Sequence, residues 1–232
     1  MFRYRLAHCV LKFFQLLLAD MKVSGRENIP SSGPYIITAN HMSTADTPLI
    51  FLAFPPLPWR FFAGEKWQNH WLWGPLMGWL GAIFINRGEV DRRALHEAFK
   101  AIEDGAVFGT APEGTRSKIG VMQAAKDGAA YLASRANVTI VPVGLVNTDI
   151  LFANSRRLRR SKIEVHIGQP YMLPDIGGRA RSRDLSAYTH LIMIKIAALL
   201  PARYHGVYKD SPALHALLSG EDPWPICRQL EC

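Results

Sequence analysis

Four residues separate His41 from Asp46 in the segment Asn40-His41-Met42-Ser43-Thr44-Ala45-Asp46. The segment directly follows Tyr35-Ile36-Ile37-Thr38, an apolar, β-branched run that reads as a strand. A strand end followed by a tight polar turn puts His41 on the open edge of a sheet, where active sites of α/β folds tend to lie. If Asp46 begins the next helix, its carboxylate can fold back onto one imidazole nitrogen. That contact fixes the tautomer and leaves the other nitrogen free as a base. Taken singly, such a histidine is more often a core or capping residue and such an aspartate an N-cap. The pair gains weight from its company. Gly81-Ala82-Ile83-Phe84-Ile85-Asn86-Arg87, Pro112-Glu113-Gly114-Thr115-Arg116-Ser117 and Val141-Pro142-Val143 each follow or end a strand-like run, which suggests one shared site.

The elements that must position these segments can be read from hydrophobic period and punctuation. Strands are expected at residues 35–39, 60–63, 82–86, 107–110, 139–146 and 163–167. Helices are expected at 47–54, in the stretch up to 79, at 91–103, 122–136 and 185–200. Strands alternating with helices predict an α/β fold, a single domain with a mixed sheet flanked by helices. An N-terminal amphipathic helix precedes it, with Arg5, His8, Lys12 and Gln15 recurring at spacings of three and four. This helix either lies in a lipid headgroup region or docks on its own domain. The organisation expected is a membrane-associating helix at 1–24, a catalytic domain at 25–201 and a C-terminal tail at 202–232. Two apolar stretches, 47–59 and 71–85, are broken by prolines too early to span a bilayer. They belong to the core, line an acyl groove or dip into a membrane interface, where tryptophans such as Trp71, Trp73 and Trp79 are favoured.

Composition excludes several classes. Of 232 residues, 49% are apolar and 20% charged, enough to bury a core and too little charge for wholesale disorder. The formal charge of +8 favours a polyanionic neighbour, either nucleic acid or an anionic membrane face. No zinc-finger spacing, aromatic RNA-binding motif or basic heptad helix supports nucleic acid. Cys9, Cys227 and Cys232 have no ligand spacing, so no metal and no disulfide framework is implied, which suits a reducing cytosol. Lys12 interrupts the N-terminal apolar stretch, which reads as neither a signal peptide nor a span. A serine hydrolase lacks its Gly-x-Ser-x-Gly elbow here.

The order Asn-His-x-Ser-x-x-Asp, Phe-Ile-x-Arg, Pro-Glu-Gly-Thr-Arg-Ser and Val-Pro-Val resembles the glycerolipid acyltransferase family that includes 1-acylglycerol-3-phosphate acyltransferases. The resemblance covers roughly residues 35–146. It implies a glycerol-3-phosphate acyltransferase-like fold, with His41 as general base and Asp46 as its orienting partner. Asn40 and Pro142 fall on structural positions of the motifs. Arg87, Glu113, Gly114, Thr115 and Arg116 fall on the acceptor-phosphate site, and Lys66 is either a further phosphate ligand or a solvated surface lysine. The activity implied moves a fatty acyl group from a thioester, acyl-CoA or acyl carrier protein, to the free hydroxyl of lysophosphatidic acid, with no cofactor. The alternatives are another lysophospholipid acceptor, or a non-catalytic lipid-binding protein of the same fold. The expected setting is the cytoplasmic face of an anionic membrane, held peripherally or monotopically, with no nucleic-acid partner. Two departures from the family pattern, Ala111 for Phe and Asn86 for Asp, bear on acceptor identity more than on reaction type.

Elementary chemistry agrees with these assignments. A hydroxyl attacking a thioester needs a neutral imidazole to take its proton, and a free histidine, titrating near ~6.5, supplies one in the cytosol. Guanidinium forks suit a phosphate, and Gly114 lets backbone amides approach an anion. Glu113, odd beside a phosphate, is expected to hold an arginine or a glycerol hydroxyl. The basic run 156–162 either faces anionic lipid or is a solvated loop.

Overall fold

The computed structural model of the chain describes residues 2–86 and 91–229. In chain order the elements are α1 (Phe2–Leu18), β1 (Ala19–Ser24), β2 (Tyr35–Ala39), α2 (Asp46–Ala53), β3 (Trp59–Gly64), α3 (Glu65–Gln68), α4 (Trp73–Trp79) and β4 (Ala82–Ile85). They continue with α5 (Arg92–Glu103), β5 (Val107–Thr110), α6 (Gly128–Ala136), β6 (Thr139–Val146), α7 (Leu151–Ser155), β7 (Ser161–Ile167), α8 (Ser182–Ala197), α9 (Pro212–Leu218) and α10 (Trp224–Gln229). The strands form one seven-stranded mixed sheet in the order β1-β7-β6-β2-β5-β3-β4. Every pairing is parallel except β6 with β7.

Parallelism decides where the chemistry goes. Strands β2, β4 and β5 run in the same direction, so the segments after Ala39, Ile85 and Thr110 emerge at one edge of the sheet. The central strand β2 is buried at all five positions, as expected of a continuous apolar run covered on both faces. One face is covered by α1 and α2, whose Tyr4, Ala7, Leu49, Ile50 and Phe51 pack with Ile37, Val141 and Val143. Leu80, at the end of α4, joins this cluster. On the other face, α5, α6, α8, α9 and α10 contribute Ala98, Leu132, Ile192, Leu214 and Cys227 to a second cluster around Ile36, Phe108 and Ile140.

Pro142 stands inside β6 without breaking the sheet. Its carbonyl accepts from Gly168 N at 2.9 Å, so its nitrogen faces the same side, just past the end of the β7 ladder. The donor that proline lacks is therefore missing where no strand partner needs it.

The structure departs from the expected elements in four places, the simplest being the unexpected short helix α7. Residues 122–127 were expected to open a helix, but α6 begins at Gly128. Their amides serve distant partners instead: Met122 N donates to Tyr204 O, Gln123 N to the Glu113 carboxylate and Lys126 N to Pro112 O. The boundary expected after residue 24 falls beyond a sheet strand, since β1 pairs with β7 from Ala19↔Ser161 to Ser24↔His166. Asp20, Lys22 and Ser24 give this edge strand a polar look that hides it. The tail at 202–229 is built into the fold, with Ala213, Leu214 and Cys227 in the core and Trp224 stacked on Tyr188 at 5.0 Å.

Candidate active site

The turn after β2 is fixed before any chemistry is considered. Asn40 replaces a strand residue with its side chain: Oδ1 accepts from Leu145 N at 2.8 Å and Nδ2 donates to Leu145 O at 3.0 Å. His41 follows, partly open to the cleft, with Nδ1 2.8 Å from Asp46 Oδ2. Asp46 is buried at the first turn of α2, and the same oxygen accepts from Met42 N at 2.7 Å and Ser43 N at 2.8 Å. Three donors on Oδ2 offset part of the cost of burying this carboxylate, while Oδ1 has no hydrogen-bond partner among the described residues. A carboxylate can only accept, so Nδ1 carries a proton, and in the neutral imidazole Nε2 then presents its lone pair. Nε2 makes no hydrogen bond to another described residue.

The Pro112–Ser117 turn is fastened to His41 at both ends of that residue. His41 N donates to Glu113 Oε1 at 2.9 Å, and Ser117 N donates to His41 O at 2.8 Å. The other Glu113 oxygen accepts from Gln123 N at 3.0 Å. Glu113 therefore holds backbone amides, where an arginine or a glycerol hydroxyl was expected, and a buried acid with two amides to satisfy has little reason to face a phosphate. Gly114 takes φ +68°, a conformation open to glycine, and lines the cleft. Thr115 is exposed. Arg116, half-buried, has no hydrogen bond or ion pair to another described residue. Lys66 is exposed in α3, its ammonium 5.3 Å from the Trp67 ring, and it has no hydrogen bond or ion pair to the described residues of this group. Arg87 lies outside the described residues. Sequence reading passed over Gln123 and the Ser117 amide, because both act through backbone contacts that carry no motif.

Burial pushes the Glu113 carboxyl above the usual carboxylate range, against the opposing pull of its bonds from His41 and Gln123. Its folded pKa thus exceeds its unfolded one, near ~4.3. The stability this group contributes is fully present below that value and is lost as pH rises through the folded pKa. Denaturant unfolding of the Glu113→Gln variant should lack this component, so the wild-type advantage over the variant should shrink as pH rises from about 4. An advantage that grows with pH would contradict the assignment.

The cleft is lined by His41, Asp46 and Gly114 and by apolar side chains including Ile50, Trp59, Phe62 and Ile85. A β-carbon at Gly109 would sit 3.3 Å from the Trp59 ring, so this glycine is what lets the indole pack against β5. A second concavity, between Arg183 and Arg228 where α8 meets α10, contains none of these residues. A histidine held by a carboxylate, a guanidinium with no partner among the described residues on an adjoining turn and an apolar trough together define a class: an α/β protein with a polar, histidine-bearing cleft at the edge of its sheet.

Comparison with known proteins narrows the class. The profile of the Acyltransferase family matches residues 20–146, and the chain belongs to that family. It is 34% identical over 141 residues to a 1-acyl-sn-glycerol-3-phosphate acyltransferase of Borreliella burgdorferi, covering 59% of this chain and 56% of that one. A protein of the same name from Bacillus subtilis is 23% identical over 197 residues, covering 84% of this chain and 96% of that one. The chain spans about half the length of the first of these and of a Saccharomyces cerevisiae relative, of which it covers 49%. Among solved structures, the 1-acyl-sn-glycerophosphate (LPA) acyltransferase PlsC from Thermotoga maritima superposes with a TM-score of 0.66 at 28% identity, covering 82% of this chain and 76% of that one.

Proposed function

We propose that this chain transfers a fatty acyl group from acyl-CoA or an acyl carrier protein to the free hydroxyl of 1-acylglycerol-3-phosphate, forming phosphatidic acid, with His41 as general base. The observation that carries this reading is the 2.8 Å bond from His41 Nδ1 to Asp46, which leaves Nε2 directed to no described partner in the cleft. Nε2 takes the hydroxyl proton as the oxygen attacks the thioester carbonyl. The tetrahedral oxyanion then collapses, the carbon–sulfur bond breaks, and the imidazolium returns its proton to the departing thiolate. Asp46 steadies the imidazolium while it exists. Arg116 holds the acceptor's phosphate, and the apolar trough takes hydrocarbon. Purified protein given labelled acyl-CoA and a panel of lysolipids should place the label in phosphatidic acid. Label appearing only in an acylated phosphate diester would move the reading to another lysophospholipid, and its appearance in none would favour a non-catalytic lipid-binding protein.

The same reading places the protein on the cytoplasmic face of a membrane. No described helix is long and apolar enough to cross one. Helix α1 packs inward through Tyr4, Ala7 and Gln15, so it is docked on the domain, yet Phe2 (77% exposed), Leu6, Val10, Phe13 and Leu17 face outward. Trp71 (82% exposed), Trp73 and Trp79 are also open, around and within α4. A right-handed crossover from β3 to β4 puts α4 on the sheet face that α1 covers, and Leu80 packs there. Open apolar groups with Arg3, Arg5 and Lys12 among them, and with no acid before Asp20, suit an anionic lipid interface. Replacing Phe13 and Leu17 with serine should lower partitioning onto phosphatidylglycerol vesicles by roughly tenfold or more, since each buried side chain is worth about 1.5–3 kcal/mol. Added salt should weaken wild-type binding as well. Co-sedimentation equal to wild type would leave α1 as packing alone.

A further inference from the structure

We infer that Lys126 is a phosphate-binding residue of this site, supplying a point charge over Gly114 in addition to the Arg116 fork. The inference rests on the proposed acceptor being a phosphate monoester. Lys126 belongs to the stretch whose amides are taken by distant partners, and its own N–H donates to Pro112 O at 2.8 Å. That bond fixes where its side chain starts. The stem then crosses Gly114: a β-carbon built on that glycine would lie 3.4 Å from Lys126 Cδ, 3.6 Å from Cε and 4.0 Å from Nζ. The ammonium is thus delivered to the residue of the Pro-Glu-Gly turn that lines the cleft with His41.

Among the described residues none neutralises it. Lys126 has no ion pair or hydrogen-bonded side-chain partner among the described residues. The adjacent Asp127 is engaged elsewhere, Oδ1 accepting from Thr189 Oγ1 at 2.6 Å and Oδ2 facing Ser186 Oγ at 3.5 Å. The Glu113 carboxylate is satisfied by the His41 and Gln123 amides. An exposed lysine whose stem is laid against a glycine and whose ammonium has no partner among the described residues has given up chain freedom without a contact there to offset it. A ligand anion supplies the missing half. A phosphate monoester carries nearly two negative charges and three acceptor oxygens, more than a single guanidinium satisfies. A flexible ammonium adapts to the oxygen that the planar fork leaves over.

The test uses the full chain, acyl-CoA, and two acceptors that differ only in the phosphate: lysophosphatidic acid and 1-acylglycerol. Lys126→Met keeps a stem to pack on Gly114 and removes the charge. It should lower kcat/KM for lysophosphatidic acid about tenfold, leave the Michaelis constant for acyl-CoA unchanged and leave any transfer to 1-acylglycerol unchanged. Lys126→Arg should retain most of the wild-type efficiency. Unaltered efficiency of Lys126→Met with lysophosphatidic acid would overturn the inference. So would an equal loss with both acceptors, which would make Lys126 a packing residue, or a defect confined to acyl-CoA. A wild-type chain that leaves lysophosphatidic acid unacylated would defeat the proposed function along with this inference. A wild-type chain that acylates it while Lys126→Met does so equally well would defeat this inference alone.

Discussion

Replacing His41 with alanine is expected to lower turnover by roughly 10²–10⁴-fold while the protein stays folded, the range typical of a lost general base. The structure separates the two effects. What Glu113 and Ser117 bond at this position are the main-chain N–H and C=O of His41, and an alanine keeps both. Asp46 loses one of three donors to Oδ2 and retains the amides of Met42 and Ser43. The imidazole itself is partly exposed, so its removal leaves no large sealed cavity. Thermal unfolding and single-turnover acyl transfer on the same preparation check the expectation. A folded His41→Ala protein with near-normal turnover would remove the general-base mechanism.

The second large effect is expected from Arg116→Ala, a loss on the order of 10² in kcat/KM for lysophosphatidic acid. A charge-assisted hydrogen bond is worth about 1.5–3 kcal/mol, and a bidentate fork makes two, discounted here because the side chain is only half-buried. Arg116 immediately precedes Ser117, whose amide is tied to His41, so the guanidinium and the base are held to a common short stretch of backbone. The signature should be selective, with the Michaelis constant for the thioester nearly unchanged. Arg116→Lys should recover part of the loss, because an ammonium keeps the charge but lacks the planar fork. A defect wholly in the donor's Michaelis constant would place Arg116 on the phosphates of the thioester carrier.

How much of this was legible in the sequence depends on how local each contact is. The alternation of β2, α2, β3 and the following elements could be read because the apolar runs are long and punctuated, and β2, β5 and β6 fall on the expected residues. The approach of Asp46 to His41 was legible for the same reason, a turn and a helix start being enough to predict it. The protein partners of Glu113, the amides of His41 and Gln123, could not be read because they lie on separate segments and leave no trace in residue type. Lys126 was hidden inside a stretch with helical character, whose amides tertiary partners claimed first. The α1 helix was half legible. Its polar spacing was visible, but His8 and Gln15 turn toward the protein, His8 packing 6.0 Å from Phe51 and Gln15 bonding Ala19 O, and this turns an apolar face outward. Edge strand β1 and the helices after Pro201 were missed because short, polar or proline-broken elements take their stability from neighbours and not from their own pattern.

The central claim is direct transfer: His41 deprotonates the acceptor hydroxyl, and no residue of the chain carries the acyl group between donor and acceptor. The most direct measurement is a rapid denaturing quench of full-length protein mixed with labelled acyl-CoA, with and without lysophosphatidic acid in vesicles, followed by separation of protein, lipid and thioester. The account predicts that label leaves the thioester only when lysophosphatidic acid is present, that it appears in phosphatidic acid, and that none travels with the denatured protein. Label bound covalently to the chain before acceptor is added, or thioester consumed at the same rate without acceptor, would contradict it.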